Sequence, residues 1–217
     1  MIALLRYQTA GLLRSHRWIV PLITYALLIS VGGAGSGSAA LASGLDWSAA
    51  ILVPVVALLT RSMLTAEPGA ARACVAAARG PGLAQLATLL VGFAGGVLLG
   101  LAGAAYELVT AGHHTAVLLP LLAGLGKALI CIMVGSAVGT LFNPPLIRHA
   151  AAALLSTGAA VIVALVSSIS PASAALRGNG ATMQAAAWPA GVPLLVAAGL
   201  LAAAWGLSCY LVARRGD

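Results

Sequence analysis

Charge is scarce in this chain. Only 7% of its 217 residues are Asp, Glu, Lys or Arg, where a soluble domain carries roughly a quarter. Four are acidic (Asp46, Glu67, Glu107 and Asp217) and eleven are basic. Apolar residues make up 61%, and the mean hydropathy is +1.06. No soluble core of this size could hide so much apolar surface, so part of the solvent must be lipid. Aromatics are also few, at 5%. Without a stripe of basic residues interleaved with aromatics, the net charge of +7 is no nucleic-acid signature. The three cysteines, Cys74, Cys131 and Cys209, are odd in number and far apart. That pattern is neither a disulfide framework nor a metal knuckle, and it reads as buried free thiols.

Several chemistries lack their residues. A P-loop needs G-x-x-x-x-G-K-[ST]. The nearest string, Gly126-Lys127-Ala128, has Leu121 at the first glycine position and alanine where the hydroxyl belongs, so nucleotide is not bound by that route. No H-E-x-x-H supplies a zinc site. Ser136 falls in an apolar run, but His16, His113, His114 and His149 fall at membrane surfaces or in loops, so no serine–histidine pair forms inside a membrane. His113 and His114 are adjacent, face apart on a helix and read as solvated loop residues, leaving no metal site. The four acids all fall at expected span boundaries or in loops, which counts against ion-coupled transport. The chain reads as a non-enzyme without a cofactor of its own.

What is present is a series of apolar runs. A membrane helix needs about 20 mostly apolar residues, and on that length six spans are expected near 18–41, 46–65, 83–105, 116–142, 149–170 and 188–212. An N-terminal run after Arg6, Arg14 and Arg17, with Ala40-Leu41-Ala42 beyond it, has features of a signal peptide. It is read as the first span, glycine-rich at its outer end and prone to break there. Arg6, Arg14, Arg17, Arg61, Arg72, Arg79, Arg148, Arg214 and Arg215 then fall on one side of the membrane, with Arg177 alone in an opposite loop. The positive-inside rule places both ends in the cytoplasm. The expected fold is therefore all-α: residues 1–17 as an interfacial helix and 18–217 as a six-span domain. The preponderance of Arg, Ala and Gly fits a GC-rich bacterial genome and hence a bacterial cytoplasmic membrane.

Three smaller features stand out. Before Trp18, Ile2, Leu5, Leu12 and Leu13 share one helical arc, while Arg6, Arg14 and Arg17 share the next. Such a helix lies in the interface with its arginines toward lipid phosphates, anchoring the chain to membrane lipid; a solvated leader is the plainer alternative. Between spans 2 and 3, Glu67 and Pro68 suit a helix N-terminus and Gly80-Pro81-Gly82 ends it, giving a short cytoplasmic helix over about 68–79. The loop over about 171–187 is long enough for short external helices. Gly92, Gly96 and Gly100 form a small-residue stripe, and Gly135 and Gly139 a second, which let helices approach closely, either within the chain or, as the alternative, at a dimer face. Lys127 is the one charge inside an expected span. It either faces an aqueous or substrate path or snorkels to the interface.

The order of these elements resembles the ABC type-2 exporter permeases. The resemblance lies in LLRYQTAGLLRSHRW, LLTRSMLTAEPGAARACVAAARGPG and the ending YLVARRGD, within an architecture spanning the whole chain. It implies a permease half that pairs with an identical or different second half and docks a separate P-loop ATPase, which carries ATP and Mg. It also implies that the helix between spans 2 and 3 couples to that ATPase, through Glu67, Arg72 and Arg79 here. The competing expectations are an ATP-independent secondary transporter or channel, and a non-transport assembly or immunity protein.

Overall fold

A computed structural model describes residues 2–32, 38–66, 71, 74–75, 77–78, 80–111, 117–142, 149–167, 170–177 and 191–215. The described residues include eight helices of known bounds, further helical residues between Leu64 and Pro81, and no strand. α1 (Ile2–Ser15) is the first helix. It stops at His16, whose backbone adopts a positive φ of 53°, a left-handed conformation that a helix cannot continue through. His16 Nδ1 donates to Arg14 O at 2.9 Å, and the chain turns into α2 (Ile19–Gly32).

Next comes α3 (Ser38–Leu64), which carries Pro54 inside it. The expected first span, 18–41, therefore divides. It ends at Gly32, and the residues from Ser38 belong to the following helix. The glycine-rich stretch between them has the poorest helix propensity short of proline. α4 (Pro81–Ala111) starts with proline at its first position, where the missing N–H costs nothing. The preceding Gly80 has φ 85°, a turn that glycine makes without strain. α5 (Leu118–Leu141), α6 (Ala150–Val166), the short α7 (Pro171–Arg177) and α8 (Val192–Arg215) complete the order. α7 falls in the loop where short helices were expected.

Four helices are long and apolar enough to cross a bilayer: α3 (from Leu41), α4, α5 and α8, with mean hydropathies of 1.8, 2.0, 2.1 and 2.0. α6 qualifies only together with α7, across a 41° bend. α2 has 14 residues; at 1.5 Å each it reaches about 21 Å, short of the roughly 30 Å hydrocarbon layer. Helix length thus supports four spans, or five with the bent pair, where six apolar runs were expected. Polarity is inverted relative to a soluble protein. Val31, Val109, Leu119, Leu155 and Leu195 are exposed, whereas Gln85, Thr88, Glu107, Ser136, Thr140 and Ser208 are buried. The chain is a multi-pass membrane protein.

α3 is the central helix. In its apolar window 61% of residues are buried, against 17% for α8, which is peripheral. α3 packs most extensively on α5 and then on α4. Glycine contacts fix the register. Gly92, Gly96 and Gly100 of α4 meet Thr60, Val56 and Leu52 of α3, so these helices are antiparallel. Gly124, Gly135 and Gly139 of α5 meet Leu45, Val53 and Ala57 of α3, so those two are parallel. A Cβ added at Gly135 would lie 2.6 Å from Val53 O, and one at Gly139 2.7 Å from Ala57 O. Both glycine stripes serve packing within the chain, the role expected of them.

These registers give the bundle two distinct ends. Arg17 donates to Thr65 O at 2.8 Å, joining the α1–α2 corner to the end of α3. Gln85 near the start of α4 donates to Ser208 near the end of α8 at 3.0 Å, both side chains buried. That end, with Arg14, Arg17, Arg61 and Arg214, is basic. Asp46 and Glu107, the acids among the described residues, both lie toward the other end. An interhelical hydrogen bond in a membrane protein contributes about 0.6–1 kcal/mol. Ser208→Ala should lower the unfolding free energy by that amount, read by denaturant titration in mixed micelles.

Candidate functional site

The acidic end holds the ionisable groups that a bilayer would otherwise exclude. Asp46 sits two turns inside α3, and Lys127 more than two turns inside α5, each about 12–14 Å along its helix at 1.5 Å per residue. Because α3 and α5 run parallel, the two residues come level, and Lys127 Nζ donates to Asp46 Oδ1 at 2.6 Å. The side chains are 15% and 21% exposed. A charge-assisted bond of this length between little-exposed partners satisfies two groups that would each be costly alone. Lys127 was expected either to face a path or to snorkel; in the structure its ammonium is held by Asp46.

Beside this pair, on the other flank of α3, lies Glu107. It is 3% exposed, and its Oε1 has no hydrogen-bond partner. Its other oxygen presses against Gly44 of α3, where an added Cβ would fall 2.2 Å from Oε2. One turn earlier on α4, Gly103 makes the same kind of room for the hydroxyl of Tyr25 from α2. Tyr25 is 4% exposed and its hydroxyl is buried. Ser48, which flanks it, donates to Leu45 O at 3.0 Å, which leaves the serine oxygen free to accept from the phenol. Two glycines thus leave space for two oxygens, at a junction of α2, α3 and α4. Leu41, Leu45, Ala104 and Ala111 close this end of the bundle as a small apolar cluster.

Two of the acids expected at span boundaries, Asp46 and Glu107, lie within helices rather than in the loops that join them. Asp46 is inside α3, and Glu107 lies inside α4, which runs six residues beyond the expected limit of 105. Hydropathy ends a span at the first carboxylate, but a carboxylate can stay within the helix when a neighbouring glycine lets it fold against a second helix. The glycine concerned, Gly44, lies on α3, so no signal for it stands beside Glu107 in the sequence.

Of the other residues singled out from sequence, Glu67, Arg72 and Arg79 lie outside the described residues, as do His113, His114 and Arg148. Residues 71, 74, 75, 77 and 78, within the expected cytoplasmic helix, are helical. Arg6, Arg14 and Arg17 are exposed around α1 and its corner with α2. Cys131 is buried, Cys209 half-buried and Cys74 exposed, all free. His149 is exposed at the start of α6, and His16 at the end of α1. Ser136 is fully buried in α5. Among the described residues no three His, Cys, Asp or Glu side chains gather as metal ligands.

No family model matches the chain, and no curated protein or solved structure shows significant similarity to it.

Proposed function

We propose that this chain is the transmembrane half of an ATP-driven exporter of the ABC type-2 kind, crossing a bacterial cytoplasmic membrane six times with both termini inside. The observation that carries this reading is the order and placement of the elements. A leader helix turns sharply into the bundle. The α3–α4 segment leaves from the basic end. The short α7 interrupts the α6–α8 connection at the opposite end. The arginines at the basic end mark it as cytoplasmic. α2 then serves as a short first crossing, which local thinning of the bilayer and snorkelling arginines accommodate. α6 with α7 forms the fifth.

In this reading ATP and Mg reside on a separate P-loop ATPase, and a second permease half completes the path. Closure of the ATPase pushes on the helix carrying Glu67, Arg72 and Arg79. The two halves then shift between packings that open to opposite sides. α1, with Arg6, Arg14 and Arg17, rests in the headgroup layer. A role for Lys127 in the path requires its pair with Asp46 to open during the cycle.

The reading is tested by purifying the chain from its native membrane in mild detergent. A soluble P-loop ATPase should co-purify in stoichiometric amount. Arg72→Glu with Arg79→Glu should release that ATPase or uncouple its hydrolysis from transport. Normal assembly and transport in the double variant removes the coupling assignment. The buried Glu107 favours a second reading, an ion-coupled transporter without ATP. Uptake or export in proteoliposomes driven by an ion gradient alone would decide for it.

A further inference from the structure

Glu107 stands out among the polar groups of this protein. The Asp46 and Lys127 charges cancel each other, and among the described residues no cation is paired with the Glu107 carboxylate. It is almost wholly buried. Its Oε1 has no hydrogen-bond partner, and the buried Tyr25 hydroxyl, with Ser48 beside it, rests against Gly103, one turn back along α4 from Glu107. Gly44 and Gly103 form the backbone wall behind them. A buried carboxylate with no counter-charge is far too costly to persist, and a lone phenolic hydroxyl cannot neutralise it.

Among the described residues, the groups on the helices around α4 supply no second cation for Glu107. From α2 the titratable group is Tyr25. From α3 it is Asp46, itself engaged by Lys127 of α5. α8 meets α4 at the opposite end through Ser208 and Gln85, with Cys209, Tyr210 and Arg214 around that contact. The ionisable side chains of α1, Arg6, Tyr7 and Arg14, are exposed. One negative charge calls for one positive charge. A divalent ion beside this single carboxylate would leave one positive charge uncompensated in the same buried place.

We infer that the α2–α3–α4 junction is a binding site for one small monovalent cation, a proton or an alkali-metal ion, with the Glu107 carboxylate as its charged ligand and the Tyr25 hydroxyl as a second oxygen. The site goes beyond the exporter reading and does not depend on it, because occupancy is measured with neither ATPase nor transport.

The test uses the full chain in lipid nanodiscs, with ionic strength held constant by a bulky organic cation. Adding sodium or potassium, or lowering the pH, should raise the thermal midpoint of the wild-type protein by roughly 5 °C, since a ligand of the folded state stabilises it. Glu107→Gln, a neutral isostere, should lose that response. Tyr25→Phe should keep it at about tenfold weaker apparent affinity, the equivalent of one lost hydrogen bond to a charged group. Infrared difference spectra separate the sources. A protonated-carboxyl band present in the wild type and missing in Glu107→Gln identifies the proton; a carboxylate band shifted by sodium or potassium identifies the metal ion. Equal responses in wild type and Glu107→Gln overturn the site. Should Glu107→Gln not survive purification, Tyr25→Phe decides alone, and an unchanged affinity in it overturns the site.

Discussion

Gly139→Leu should leave a protein that cannot be recovered as a single folded species. α5 lies against α3 so closely that a Cβ at Gly139 would meet Ala57 O at 2.7 Å, Thr60 Cβ at 2.9 Å and Ala57 Cα at 3.0 Å. Two of these three atoms are backbone, so no rotamer change relieves the clash. The helices must separate, and the buried Val53, Val56 and Thr60 on α3 lose their partner. Overpacking a tight core costs about 1–3 kcal/mol per methylene-sized insertion, and more where the backbone must move. Gly139→Ala and Gly135→Ala should therefore each cost about 2–3 kcal/mol, and Gly139→Leu more than about 4 kcal/mol. Gly126 and Gly158 are internal controls, with nothing within 4 Å of an added Cβ. Alanine there should leave stability within about 0.5 kcal/mol of the wild type or slightly raise it, because alanine is the better helix former. Size-exclusion profiles and denaturant titration in mixed micelles read both series. If Gly139→Ala is as stable as Gly126→Ala, the α3–α5 seam is not as tight as described.

The second large effect concerns the ion pair. Lys127→Met leaves Asp46 little exposed and without its cation, and Asp46→Asn does the converse to Lys127. Removing one partner of a buried pair costs about 3–5 kcal/mol, whereas removing both costs far less and can be neutral. With side chains 15% and 21% exposed, the single variants belong at the lower end, at about 3 kcal/mol. Asp46→Asn combined with Lys127→Met should lose much less than the two singles together. A coupling energy of about 2 kcal/mol in that double-mutant cycle is the expected signature. Strictly additive losses would mean that the two charges are stabilised by other groups. Because the bond joins parallel helices two turns in from their starts, its loss should also loosen this end more than the Arg17–Thr65 end. Faster amide exchange in α3 around Asp46 than around Thr60 reports that asymmetry.

Much of this architecture can be read from local sequence, because its causes are local. The long apolar helices follow from unbroken hydropathy, and the leader's end before Trp18 from its pattern. The α4 and α5 glycine stripes follow a four-residue spacing that one helix displays by itself. What could not be read depends on pairs distant in sequence. Lys127 was conspicuous as an embedded charge, but its partner Asp46 lies 81 positions away and looked like a boundary residue. Glu107 seemed to end a span for the same reason. Whether a carboxylate terminates a helix or folds into the bundle depends on Gly44 across the α3–α4 contact, and no property of α4 reports it. The division of the first apolar run at Gly32 was half legible. The glycines announced a break, but not that the residues after it would join the next helix.

Pro54 lies halfway along α3, at the level where Gly135 brings α5 against Val53 O. Proline has no N–H, so the Ala50 carbonyl has no intrahelical donor to receive. Its absence falls between the half of α3 that bears Gly44, Asp46 and Ser48 and the half that bears Thr60, Arg61 and the Thr65 junction. The helix that organises the whole bundle is therefore held by one backbone hydrogen bond fewer near its middle. A displacement delivered at the arginine-rich half would reach the Asp46–Lys127 and Glu107 half as a rotation about this point, with the glycine seam as the bearing surface on which it turns.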